Sequence, residues 1–299
     1  MTIPAFINPG AGNADEASGA IEAAGGVEVR KTEPADLAEA ITKALDGGAR
    51  RIIIAGGDGS VAGAASVIAG SDVSLGIVPA GTLNHLAKDL GIPLDLEEAA
   101  RLAVGGDVIT VDVARAGERL FINTSSLGAY VAFVRTRERL EPRLGYWIAS
   151  FVASVRLLFT LRLFTVEIEV EGEKRQYRTP LVFVGVGERE LKLPKVGGRV
   201  EGGGRGLHVL IVEGRTGARL FALALAAAAR GLDSVSRGPS IDAFLVDRCS
   251  IELPRRTAHI AVDGEIVEVQ GRVEYALWRD ALRVVAPPAT SLEKDSRAG

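Results

Sequence analysis

Cysteine is nearly missing from this chain of 299 residues: Cys249 stands alone. One thiol cannot close an intramolecular disulfide, which excludes a disulfide-stapled secreted scaffold and fits a reducing compartment. Histidine is almost as scarce, and His85, His208 and His259 lie too far apart for a zinc site. Charge of one sign is not in excess either. A net charge of −3 offers nothing global to hold nucleic acid. Long apolar runs are also lacking. The start, MTIPAFINPG, has neither the basic stretch nor the apolar run of a signal peptide. The stretch Tyr146 to Phe164 is interrupted by Arg156 and Arg162, and Leu220 to Ala229 has about half of the roughly 20 residues needed to span a bilayer. No transmembrane segment and a cytoplasmic location are expected. Two catalytic signatures are missing as well. No Gly-Lys pair exists to make a Walker A loop, and no G-x-S-x-G to make a hydrolase elbow. Core material, by contrast, is ample: 47% of residues are apolar, on a length suited to one large domain or two ordinary ones.

The first hundred or so residues alternate strand and helix patterns. IPAFIN, VEVRK, RIIIA and SLGIVPA read as strands. Ala14–Ala24, Ala35–Leu45, TLNHLAKDL and LEEAARLAV read as helices, the last capped by Asp95. This rhythm predicts an N-terminal open parallel α/β domain, Rossmann-like, over residues 1–122. VITVDVARAGERLFINTS then reads as two strands around Gly117, followed by helix from about Ala129 to Phe159. Beyond it come FTVEIEV, QYRTPLVFVGVG, GLHVLIV, IDAFLVD, CSIELP, HIAVDG, EIVEV, RVEYALW and ALRVVAP, with turns at EGEK and VDGE. Residues 123–285 are therefore predicted to form an antiparallel β-sandwich or partly closed barrel. An Ala-rich helix, Arg219–Leu232, is the exception, and the segment 286–299, ending in a polar tail, is expected to return to the first domain. Edge strands in the β-rich part leave room for a homodimer.

Two glycine-rich turns fall at the C-terminal ends of successive strands, where open α/β sheets bind ligands. The first is GGDGS, residues 56–60, and the second is PAGTLNHLA, from Pro79. Each permits a tight turn or close backbone approach, and each is expected to open a helix whose free N–H groups favour an anion. Ser60 and Thr82 can add hydroxyl donors. Two such turns side by side suit a polyphosphate. Asp58, the one charge among them, has the side chain to hold an accompanying Mg²⁺.

This pair of turns resembles the diacylglycerol kinase catalytic family, which includes bacterial lipid kinases and sphingosine kinases. NPGAG (Asn8 to Gly12), FINTSSLGAYVAFV, RLGYWIASFVASVRLL and VDGE (Val262 to Glu265) resemble further family segments. The resemblance implies a nucleotide-binding α/β domain followed by a β-rich lipid-binding domain, with the active site in the cleft between them. It implies ATP and Mg²⁺ as cofactors, transfer of the γ-phosphoryl group to a diacylglycerol-like lipid hydroxyl, and a lipid substrate met at the inner face of the membrane. Carried over as nucleotide-site positions are Asn8, Gly56, Gly57, Asp58, Gly59, Ser60, Gly81, Thr82 and Asn84. Asp58 and Asp112 are implied metal-linked residues. Asp263 is the implied general base, with Glu265 beside it.

The chain departs from the family pattern at His85, where an acidic residue is common, at Asn13, where a basic one often stands, at Val186 in place of an asparagine, and at Gly203 and Gly204 in place of an acidic pair. Two other readings stay open on the same residues: an NAD kinase-like phosphotransferase, which shares GGDG, and a nucleotide-binding regulator without catalysis. Read without the resemblance, Asp263-Gly264 is a hairpin turn and Cys249 a small buried hydrophobe. The arginines between Arg135 and Arg162 mark either a solvated helix end or a basic amphipathic helix on an anionic surface.

Overall fold

The computed structural model describes residues 2–160, 162–189, 198–200, 202–212 and 241–288. The expected helix Arg219–Leu232 and the polar tail from Thr290 lie outside the described residues. The chain divides into two compact units: Met1–Val113 together with the chain from Trp278 onward, and Ala114–Leu277.

The first unit contains β1 (Ile3–Ile7), α1 (Ala14–Ala24), β2 (Val27–Lys31), α2 (Leu37–Asp46), β3 (Arg51–Gly56), α3 (Asp58–Ile68), β4 (Ser74–Pro79), α4 (His85–Asp89), α5 (Leu96–Gly105), the start of β5 (Val108–Ala116) and the end of β14 (Glu265–Val285). Its strands run in the order β2-β1-β3-β4-β14, each pairing parallel. Parallel neighbours need crossovers, which the helices supply. Every residue of β4 is buried, as are Ile52 to Gly56 of β3, so both faces of the sheet are covered. Close packing limits residue size here: a Cβ on Gly76 of β4 would fall 2.9 Å from the Ala103 Cβ of α5. Asp95 caps α5 as predicted, its carboxylate accepting the Glu98 N–H at 3.0 Å. At the other end of α5, the Arg51 guanidinium donates to the carbonyls of Ala103, Val104 and Gly106.

The second unit contains the rest of β5, β6 (Arg119–Phe121), β7 (Thr124–Gly128), α6 (Ala129–Thr160), β8 (Phe164–Val170), β9 (Glu173–Thr179), β10 (Leu181–Val186), β11 (Leu207–Val212), β12 (Ile241–Val246), β13 (Arg248–Val262) and most of β14. Here the order is β12-β11-β10-β7-β13-β14, with β8 on β13, β9 on β8 and β6 on β5. The pairings β10–β11, β10–β7, β11–β12, β13–β14, β13–β7, β13–β8, β8–β9 and β5–β6 are antiparallel. Phe121, Leu127, Ile168, Val184, Val209, Ile251 and Tyr275 fill its core. Cys249 lies among them, its thiol pushed up to about 12, chiefly by burial, so it serves as a small hydrophobe.

An α/β unit followed by a β-rich one is the predicted architecture. Boundaries differ in instructive places. QYRTPLVFVGVG is cut at Pro180, which has no N–H for a ladder, and Thr179 Oγ1 turns back to the carbonyls of Leu181 and Val212. CSIELP and HIAVDG merge into β13 across a register shift between Glu252 and Thr257. EIVEV, RVEYALW and ALRVVAP merge into β14, with Gly271 (φ 53°) and Asp280 (φ 51°) as left-handed points inside it. The long helix α6 is broken at Gly145 (φ 72°, ψ 164°), just after Pro142.

Candidate functional site

In the first unit the two glycine turns meet. A Cβ on Gly81 would lie 2.3 Å from the Gly57 Cα, so only glycine fits there. The NPGAG turn joins them. Asn8 Oδ1 accepts the Gly10 N–H at 2.9 Å, and Asn8 Nδ2 donates to Ser60 Oγ at 3.3 Å. Ser60 is buried, and a Cβ on Gly56 would strike its Oγ at 2.7 Å. Ser60 therefore ties the loop ends together from beneath, whereas Thr82 and Gly59 are exposed.

The second turn differs from expectation. Helix does not begin at Thr82; α4 is a short helix starting at His85. The physical reason is Asn84. It sits in the left-handed region (φ 51°), its Oδ1 accepts the Gly81 N–H at 3.2 Å, and its Nδ2 donates to the carbonyls of Gly81 (2.8 Å) and Pro79 (3.3 Å). Asn84 thus shapes the loop by closing it on itself. The helix-start N–H groups come from α3, whose N-cap is Gly57 and whose first residue is Asp58. Asp58 Oδ1 accepts the Leu86 N–H at 3.4 Å, linking the two turns. His85 is exposed.

Asp112, on β5, is 9% exposed, and its Oδ1 accepts the Asp280 N–H at 2.9 Å. Thr110 Oγ1 donates to the Asp280 carboxylate at 3.1 Å. Asp112 is therefore engaged in anchoring a left-handed point of β14. Among the described residues no three His, Cys, Asp or Glu side chains gather as a metal group.

In the second unit, Asp263 and Gly264 make the β13–β14 hairpin turn, both with positive φ (45° and 89°). The Asp263 side chain does more than turn the chain. Its Oδ2 accepts the Ile122 N–H at 2.8 Å, and its Oδ1 accepts those of Asn123 (2.9 Å) and Thr124 (3.0 Å). Three backbone donors thus fix this carboxylate in charge-assisted hydrogen bonds. Its own N–H donates to the Thr124 carbonyl at 2.8 Å. Glu265 is exposed at the start of β14.

Sequence reasoning missed the neighbours of Asp263. Burial is the main cause of a raised pKa at Tyr130; Arg137 counters it, and the Tyr146 and Asp263 charges add to it. Tyr130 therefore stands within reach of the Asp263 charge. Asn123, 5% exposed, keeps an Oδ1 with no hydrogen-bond partner among the described residues. Only the FINTSSLGAYVAFV segment as a whole signalled them. Of the departures, Gly204 donates its N–H to the Glu188 carboxylate at 2.8 Å, and a Cβ on Gly203 would lie 2.8 Å from that of Val200.

The chain is similar to known proteins in sequence and in fold. Residues 3–116 match the diacylglycerol kinase catalytic domain. Lipid kinase YegS of Escherichia coli (strain K12) is 31% identical over 205 residues, 65% of this chain and 64% of that protein, so the match spans less than two thirds of the curated relative. A diacylglycerol kinase from Bacillus anthracis str. Sterne shares the fold, with a TM-score of 0.67 and 20% identity over 96% of this chain and 97% of that one. An NAD kinase from Archaeoglobus fulgidus, solved in complex with ATP, shares it more loosely, with a TM-score of 0.56 and 11% identity over the whole of both chains. Over residues 3–116 the chain is thus similar to the diacylglycerol kinase catalytic domain.

Proposed function

We propose that the protein is an ATP- and Mg²⁺-dependent lipid kinase that transfers the γ-phosphoryl group to the hydroxyl of a diacylglycerol-like lipid. The observation that carries this reading is the meeting of Gly57 and Gly81, which joins the two turns into one cradle of bare backbone at the start of α3. A Cβ on Gly81 would strike the Gly57 backbone and force the two turns apart, and the N–H groups at the start of α3 favour a polyphosphate's charge. The residues fit the nucleotide in this sense. Gly56, Gly57, Gly59 and Gly81 let backbone approach it, Thr82 offers a hydroxyl, and Asn8, Ser60 and Asn84 hold the loops in shape. Asp58 would hold Mg²⁺, which would supply neutralisation of the charge that spreads over the transferring group. Asp112 supports this unit through the Asp280 turn.

The acceptor is served by the second unit. Asp263, fixed by its three N–H donors, orients the lipid hydroxyl and takes its proton late in transfer. The alcohol oxygen gains the bond to phosphorus as the bond to the departing ADP oxygen breaks. Glu265, exposed on the same hairpin, faces the arriving substrate. The enzyme works on the cytoplasmic side at a membrane surface, where such substrates reside.

Incubation with labelled ATP, Mg²⁺ and a panel of lipid alcohols tests the reading. Label in an organic-phase product is expected. ATP binding with no labelled lipid, or label passing to NAD instead, overturns it.

A further inference from the structure

The half of α6 that follows Gly145 is built inside out. Ala149 and Ala153 are buried, whereas Trp147 is 72% and Phe151 70% exposed. Ile148, Val152 and Val155 are exposed beside them. At the turn of an α-helix these five fall within one arc of about 140° and extend over roughly 12 Å. Large apolar groups gathered on one exposed face mark an interaction site. The element carrying them is held in place at its start. Arg137 reaches Glu138 (3.8 Å) and Glu141 (3.4 Å) and lies over the Tyr146 ring at 5.3 Å, and Tyr146 meets Trp147 edge-on at 5.5 Å.

Charge selects the occupant. Tyr146 to Thr160 contains no Asp or Glu. Exposed Arg156 follows the apolar arc along the helix, and exposed Arg139 and Arg143 stand just before the Gly145 break. Among the described residues no helix is long and apolar enough to cross a membrane. A second copy meeting this face across a two-fold axis would bring the same patch, with arginines and no Asp or Glu between Tyr146 and Thr160 to answer them. An anionic bilayer surface offers acyl chains for the rings and phosphates for the arginines.

We propose that the outer face of α6 after Gly145 is a membrane-docking surface that lies in the plane of an anionic bilayer. Trp147 and Phe151 enter the acyl boundary, and Arg143 and Arg156 pair with lipid phosphates. This deepens the lipid-kinase reading and rests on it for its purpose, but docking is measured without nucleotide or turnover, so either can fail alone.

The chain has two tryptophans, so Trp278→Phe leaves Trp147 as the reporter. With phosphatidylcholine vesicles containing phosphatidylglycerol, Trp147 fluorescence should shift to the blue and be quenched by brominated acyl chains. Co-sedimentation should be about tenfold stronger than on phosphatidylcholine alone, and weaker in high salt. Trp147→Glu with Phe151→Glu should abolish sedimentation, while Arg143→Gln with Arg156→Gln should remove the preference for anionic vesicles, each with unchanged circular dichroism. Three results overturn the proposal: no shift and no sedimentation of the parent, vesicle binding untouched by the glutamate pair, or a dimer in light scattering that the glutamate pair dissolves. A chain that docks but labels no lipid removes the kinase reading only. One that labels a short-chain soluble acceptor but never docks removes this proposal only.

Discussion

Gly57 and Gly81 stand so close that a Cβ on Gly81 would lie 2.3 Å from the Gly57 Cα and 2.9 Å from its N. Backbone rather than a flexible side chain is what such a Cβ would strike, so any larger residue must push the two turns apart.

Gly81→Ala should therefore open the cradle. Forcing extra atoms into a packed site costs about 1–3 kcal/mol, and if half of that falls on nucleotide binding, ATP affinity drops about two- to tenfold. The rise in melting temperature with added ATP reads this directly. An undiminished rise would show that the apposed glycines do not shape the nucleotide site.

Asp263→Asn should both slow turnover and destabilise the fold. An asparagine has one oxygen, which can keep the Asn123 and Thr124 N–H donors, but its NH₂ then confronts the Ile122 N–H. Leaving one such donor unmatched costs about 1–3 kcal/mol, or a fall in Tm of roughly 5 °C for a unit of this size. Glu265→Gln, on an exposed side chain, should leave Tm unchanged. Turnover of Asp263→Asn equal to the parent's, assayed well below its Tm, removes Asp263 from the mechanism.

His208 should make the protein less stable in mild acid. Its Nδ1 accepts the Arg189 N–H at 2.9 Å, and burial, with Arg189 adding and Glu188 opposing, holds its pKa below the ordinary value. Above about pH 6.5 both folded and unfolded states carry it neutral, so its contribution is constant. As pH falls below that value the unfolded chain takes the proton first, and stability is lost until the folded pKa is passed. Melting temperature between pH 8 and 5 should drop more steeply for the parent than for His208→Asn. Parallel curves would show that another group governs the acid limb.

Much of the fold was legible because its signals are local. RIIIA and SLGIVPA are the near-continuous apolar runs of buried parallel strands; the first forms in full and the second through Pro79. Asp95 caps α5 because a cap needs only its own next turn. Asp-Gly at 263–264 turns the chain for the same reason. The errors arose where a neighbour outside the local pattern decided the matter. Asn84 closes the second turn on Pro79 and Gly81 and delays α4 to His85. β14 continues through Gly271 and Asp280, and Asp112 holds the second of these points from a residue 168 positions away.

The candidate site divides along the same line. The amino-acid sequence by itself determined the inventory: two glycine turns at successive strand ends, one carboxylate between them, and a late Asp-Gly turn. Tertiary structure alone decided how these residues are used. It set Gly57 against Gly81, turned Ser60 inward to Asn8, aimed the N–H groups of Ile122, Asn123 and Thr124 at a carboxylate 139 to 141 residues on, and left Trp147 and Phe151 facing outward. Side-chain period and turn chemistry are written in adjacent residues, whereas the convergence of distant backbone donors and the exposed side of a helix depend on which surfaces pack together when the chain folds.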